Sequence, residues 1–164
     1  MIVVSDTTPL ISLLKINRLE LLEKLYGFVY IPRAVFDELT VNTKYQAEAD
    51  EISNAKFIEC KDITNIQALK ILQVTTTLDL GESEAIILAQ ELKSDILLMD
   101  ERKGRNIARQ LDIKLSGTLG ILVDGFDTKL LTKSEVSDCL NMLERAGRQI
   151  SGYLINQVRD YINE

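Results

Sequence analysis

At 164 residues the chain has room for one well-filled core and too little length for two, and its 46% apolar and 27% charged residues exclude a disordered chain. It contains no histidine, which excludes Ser-His-Asp and Cys-His nucleophiles and every imidazole-bound metal, so any chemistry has to run on carboxylates, lysines or hydroxyls. With 19 basic against 25 acidic residues, net −6, nucleic-acid binding would need a local basic patch or a bound cation.

The opening stretch, MIVVSDTTPLISLLK, gives a short buried strand from Ile2 to Ser5 that runs straight into Asp6. Thr8 is the expected N-cap of the next helix, with Pro9 at its first position, where the missing N–H costs nothing. A second amphipathic helix, NRLELLEKLYG, closes at Gly27; FVYI is a strand ended by Pro32, and RAVFDELT is the helix that follows. YQAEADEISNA is expected to be helix, KFIEC strand and NIQALKIL helix. Then come helix LGESEAIILAQELK, strand DILLMD, helix RKGRNIARQLD, short strand IKLSG and helix TLGILVDGF. Two last helices complete the chain, the first opening on a capping box of Thr132 and Glu135 and stopping at Gly147.

Short apolar strands separated by helices predict an α/β fold, a mostly parallel sheet with helices on both faces. We expect a single domain over 1–164 with a helical C-terminal extension at about 132–164. No apolar run approaches the roughly 20 residues of a membrane span, and no basic region precedes the first apolar run, so the expectation is a cytoplasmic protein without membrane attachment. Cys60 and Cys139 lie far apart without a close Cys partner and are expected to be reduced core thiols.

In parallel sheets functional groups collect beyond the carboxyl ends of the strands. Asp6 ends the first strand and Asp100 ends ILLM in the same way. Either acid alternatively serves as a cap or turn former. Thr8 already supplies a cap beside Asp6, whereas no other cap is evident near Asp100. In PRAVFDELT the apolar direction lies about 105° from Glu38 and about 155° from Asp37, so Glu38 is expected to border the buried side and Asp37 to face water. Glu82 and Glu84 fall in the first turn of their helix, where the dipole favours acids and where a divalent cation is equally well served. Arg102, Lys103, Arg105 and Arg109 follow Asp100 closely, either as a solvated helix face or as a phosphate-tracking edge.

Together, IVVSDTTPLI, VFDEL, LGESEAI and LLMDE resemble the PIN-domain nucleases, especially the branch described as predicted nucleic-acid-binding proteins containing a PIN domain; GTLGIL and GRQISGYLINQV extend the resemblance over nearly the whole chain. It implies a three-layer α/β/α domain in which Asp6, Glu38, Glu84 and Asp100 are the catalytic acids. These, with Glu82 as an added ligand, would hold Mg²⁺ or Mn²⁺ for cleavage of RNA. Thr7 and Thr118 would be polar groups near the pocket, and Arg102, Lys103 and Arg105 backbone contacts to the nucleic acid. The sequence departs from many members after the fourth acid, where Glu101 follows at once and basic residues come next. Kinship also implies a toxin of a toxin–antitoxin pair, inhibited by a small antitoxin and acting as a homodimer. Two other readings compete: a catalytically silent module binding nucleic acid or protein on the same scaffold, and a small-molecule phosphatase. For the phosphatase, Thr8 stands where a second Asp belongs.

Overall fold

Val3 and Val4 are both fully buried, yet they fill two different cores. Successive residues of a strand point to opposite faces of its sheet, so one short strand serves both sides. The computed structural model describes residues 1–41 and 43–164. Among these residues five strands form one sheet: β1 (Val3–Ser5), β2 (Val29–Pro32), β3 (Ile58–Lys61), β4 (Ile96–Leu98) and β5 (Leu115–Ser116). All neighbours are parallel, in the order β3-β2-β1-β4-β5.

Ten helices flank the sheet among the described residues: α1 (Thr7–Lys15), α2 (Glu20–Tyr26), α3 (Arg33–Thr40), α4 (Gln46–Asn54), α5 (Ile66–Thr75), α6 (Leu80–Glu91), α7 (Arg102–Gln110), α8 (Thr118–Asp127), α9 (Lys133–Arg145) and α10 (Gly152–Asn163). One face carries α1, α2, α8, α9 and α10, with Leu10, Leu22, Ile121, Leu140 and Ile155 packed on Val3, Val29, Ile31 and Leu98. On the other face α6 and α7 set Ile86, Leu88 and Ala108 against Val4, Leu97 and Met99. The fold is therefore the three-layer α/β/α arrangement expected from the alternating elements.

Two local readings need correction. α1 begins at Thr7 rather than after Thr8, so Asp6 occupies its N-cap position and Pro9 falls in the first turn. Its side chain nevertheless makes no capping bond to the first turn, so the position is structural while the carboxylate is not committed to capping. Pro32 is the last residue of β2 rather than its terminator: it pairs with Lys61, and its fixed φ of −73° leads directly into α3.

Candidate active site

From β1 the chain builds outward to β2 and β3, then returns to the other side of β1 to lay down β4 and β5. The order reverses between β1 and β4, which opens a crevice at their carboxyl ends. Asp6 stands there, its N–H donating to the carbonyl of Leu98 at 2.9 Å. The side chain is only 3% exposed. Burial, above all, pushes its pKa up to about 8; the Thr7 N–H works against this, while the charges of Glu82, Asp79 and Glu38 add to it. A carboxylate in that position is held at a cost unless a proton or a cation shares it.

Glu38 reaches the same crevice from α3. Its Oε2 accepts the Thr7 hydroxyl at 2.8 Å, and a Cβ placed on Gly81 would lie 3.3 Å from that oxygen, so the bare Gly81 backbone lets α6 come close. Helical periodicity misjudged this pair: Glu38 is the exposed residue and Asp37 the half-buried one. Glu38 opens into the crevice, and Asp37 lines the same hollow beside Asp79 and Gly81, its charge acting also on Arg33 and Cys60.

The two glutamates of α6 part company. Glu82 forms a reciprocal capping box with Asp79, each side chain accepting the other's N–H at 2.8 and 2.9 Å. Its charge acts on Asp6, and its own pKa is raised by burial and by Asp79, Glu101 and Glu38. Glu84 turns instead to the start of α3, where its Oε2 accepts the Ala34 N–H at 2.8 Å across 50 residues of sequence. If the crevice is a metal-dependent cleavage site, Glu82→Gln is therefore expected to cost activity far more than Glu84→Gln. Glu84→Ala is expected to lower stability by about 1 kcal/mol through the lost helix-terminal bond. Parallel melting curves and cleavage rates check both, and equal activity loss in the two Gln variants would contradict the geometry.

Asp100 does not cap α7, the helix next to it. It caps a different one: Oδ1 accepts the Thr118 N–H at 2.8 Å and Oδ2 the Thr118 hydroxyl at 2.6 Å, at the start of α8. Thr118 is fully buried, so its hydroxyl, like that of Thr7, is used to aim an acid. Arg105 braces this corner from below, Nη1 donating to the carbonyls of Met99 at 2.7 Å and Ser116 at 3.2 Å. Burial, and then the neighbouring Arg109, lower its pKa. Arg102 and Arg105 line a groove running from Asp100, as does Arg109, while Lys103 is not among the groove's lining residues.

Among the described residues no three carboxylates or thiols stand together as a preformed metal cage. Mg²⁺ does not demand one, since it keeps several waters and binds through one or two carboxylates. Asp6, buried and not committed to capping, with Glu38 and Glu82 acting on it, is a hard-oxygen donor set that fits such an ion. The family model described as a PIN domain matches residues 2–164. The chain is a PIN-domain protein. No curated protein and no solved structure gives a match to this PIN domain. PIN domains are a nuclease-type, nucleic-acid-binding family. No helix of the PIN domain, among the described residues, is long and apolar enough to cross a membrane.

One residue escaped sequence reasoning although the signal was present. Asp79 stands three residues before Glu82, the spacing of a capping box, and it adds a further charge to the acid group. Arg109, legible in sequence as part of the basic run, follows Arg102 by seven residues and Arg105 by four, the spacing of a single helix face.

Proposed function

We propose that this PIN domain is a divalent-metal-dependent endoribonuclease. The observation that carries the reading is Asp6: a buried carboxylate at the reversal point of the sheet, free of capping work, whose pKa is raised first by that burial and then by the charges of Glu82, Asp79 and Glu38. In this reading Asp6, Glu38 and Glu82 would hold Mg²⁺ or Mn²⁺, aided by Glu84 and Asp100, which are tied to the starts of α3 and α8. The chemistry such an ion supplies when bound is a more acidic water and neutralisation of charge at the phosphate.

The residues of the chain do the positioning. Thr7 turns Glu38 into the crevice, Thr118 fixes both oxygens of Asp100, and Arg105 ties the ends of β4 and β5 together beneath it. No histidine is needed, because ionised carboxylates and water carry the protons. We further propose that residues 1–164 act as one cytoplasmic domain, as a homodimer and as the toxin of a toxin–antitoxin pair restrained by a small antitoxin. This last part rests on kinship.

The test is a cleavage assay on structured and unstructured RNA with Mg²⁺, Mn²⁺ or chelator. Wild type is expected to cut with metal and not with chelator, and Asp6→Asn to cut slower by on the order of 10² or more, the scale of removing one preorganised stabilising group. RNA binding without cleavage under any metal would leave a silent binding module instead.

A further inference from the structure

A groove of about 970 Å³ leaves the crevice at Asp100 and runs over the outer edge of β5 between α7 and α10. Its two walls differ in chemistry. The α7 wall carries Arg102, Arg105 and Arg109 on one helix face, in a protein of net charge −6. The α10 wall presents Leu154, Gln157 and Tyr161 at helical spacing, beside Val158. Leu154 is 46% and Tyr161 44% exposed, although α10 buries its other face through Ile155, Val158 and Ile162. The Tyr161 ring is also held in place: its hydroxyl donates to Asp127 Oδ1 at 2.8 Å, and Phe126 packs edge-on at 6.4 Å and 75°. A fixed, half-open aromatic is a platform for stacking, prepared in advance of any ligand.

We propose that this groove seats the single-stranded RNA flanking the cleaved bond, with phosphates on Arg102 and Arg109 and bases against Leu154, Gln157 and Tyr161. The assignment rests on the nuclease reading above and adds to it the residues that select the substrate. Charge complementarity favours RNA: the arginines form a row along one wall, and the groove's acids, Asp100 and Glu101, lie only at its catalytic end. The apolar wall favours a single strand, because a duplex turns its phosphates outward and keeps its base faces stacked inside, out of reach of Tyr161. Arg105 is committed to the backbone carbonyls of Met99 and Ser116, which leaves Arg102 and Arg109 as the exposed phosphate contacts. Arg109 is already oriented, its Nη1 donating to Asn106 Oδ1 at 3.1 Å. Gln157 brings a side-chain amide that donates one N–H to the Tyr153 hydroxyl at 3.0 Å and keeps its second N–H and its carbonyl oxygen for a base edge.

The test uses fluorescence anisotropy of a short labelled single-stranded RNA in chelator, so that binding is read without cutting, with cleavage in Mg²⁺ measured separately. Arg102→Ala/Arg109→Ala is expected to lower the slope of log affinity against log salt by about 1.4, the single-strand value for two phosphates. Leu154→Ser/Tyr161→Ala is expected to weaken binding roughly 5- to 150-fold with the salt slope unchanged, since stacking is not ionic. All four positions are exposed, and unchanged melting curves confirm that the variants fold. Wild type that binds and cuts RNA while both variants bind as tightly as it does would overturn the groove and leave the nuclease intact. Groove-dependent binding without cleavage in any metal would support the groove and overturn the nuclease. No RNA binding by wild type, or capture of a synthetic acidic amphipathic peptide in its place with loss on the same substitutions, would overturn the groove assignment.

Discussion

In chelator at pH 8, Asp6→Asn is expected to melt at a higher temperature than the wild type, and with Mg²⁺ supplied to cut RNA far more slowly. The unfolded chain releases the Asp6 proton near its ordinary value of 3.8, whereas the folded protein keeps it until about 8. Between those values the native state binds more protons than the unfolded state, so wild-type stability falls as pH rises from about 4 to about 8. Below that window both states are protonated and the penalty vanishes. The slope has an upper limit of about 1.4 kcal/mol per pH unit, and the total is a few kcal/mol. Asn keeps the shape and cannot ionise, so its pH profile should lack this descent. Metal should raise the wild-type midpoint, because only the folded state binds it, and should move the variant's much less. Melts across pH 4–8 with chelator, and at pH 7.5 with and without Mg²⁺, decide the matter; superimposable wild-type and variant profiles would show that Asp6 is not in the acid group.

Gly117→Ala is expected to cripple cleavage while leaving the fold largely intact. The backbone here is extended, with φ of −157°, so alanine adopts it without strain. The difficulty is space: a Cβ at 117 meets Asp100 Oδ1 directly, with Arg105 Nη1 at 3.3 Å and the Met99 carbonyl at 3.4 Å. The carboxylate is the part able to move. It would leave Thr118, at a cost of about 0.5–2 kcal/mol in lost capping of α8. A displacement of about 1 Å in a positioned group costs on the order of 10² in rate. A melting curve close to wild type beside a large loss of cleavage is the expected pair of results. Full activity would mean that Asp100 has no part in the reaction or that the corner is more pliant than its hydrogen bonds suggest.

How much of this was legible depends on how far apart the partners lie in the sequence. α3 was legible residue for residue, because Pro32 fixes its start and Val35 and Leu39 set its buried face. Asp6 was legible as the acid at the end of an apolar strand, and the capping box at Thr132 was legible from four adjacent residues. The roles of Glu84 and Asp100 were not, because their partners stand 50 and 18 residues away and are brought to them only by the sheet. The exposures of Asp37 and Glu38 were misread for a related reason. Helical periodicity locates the direction of the core, while the crevice is a second interior that exists only once α1, α3 and α6 are assembled around it.

The sharing of β1 between two cores bears on which changes of length the protein can survive. Val3 belongs to one side of the sheet and Val4 to the other, and Asp6 lies two residues beyond Val4. Deleting or inserting a single residue in this stretch would exchange the two sides at once, sending Val4 toward the wrong core and turning the aspartate away from α6. The loop between α8 and α9 is under no such constraint, because neither of its ends enters the sheet. The segment from Val3 to Asp6 thus works as a ruler with one-residue divisions. Scanning single-residue insertions along the chain should find its least tolerant positions there, ahead of any catalytic side chain.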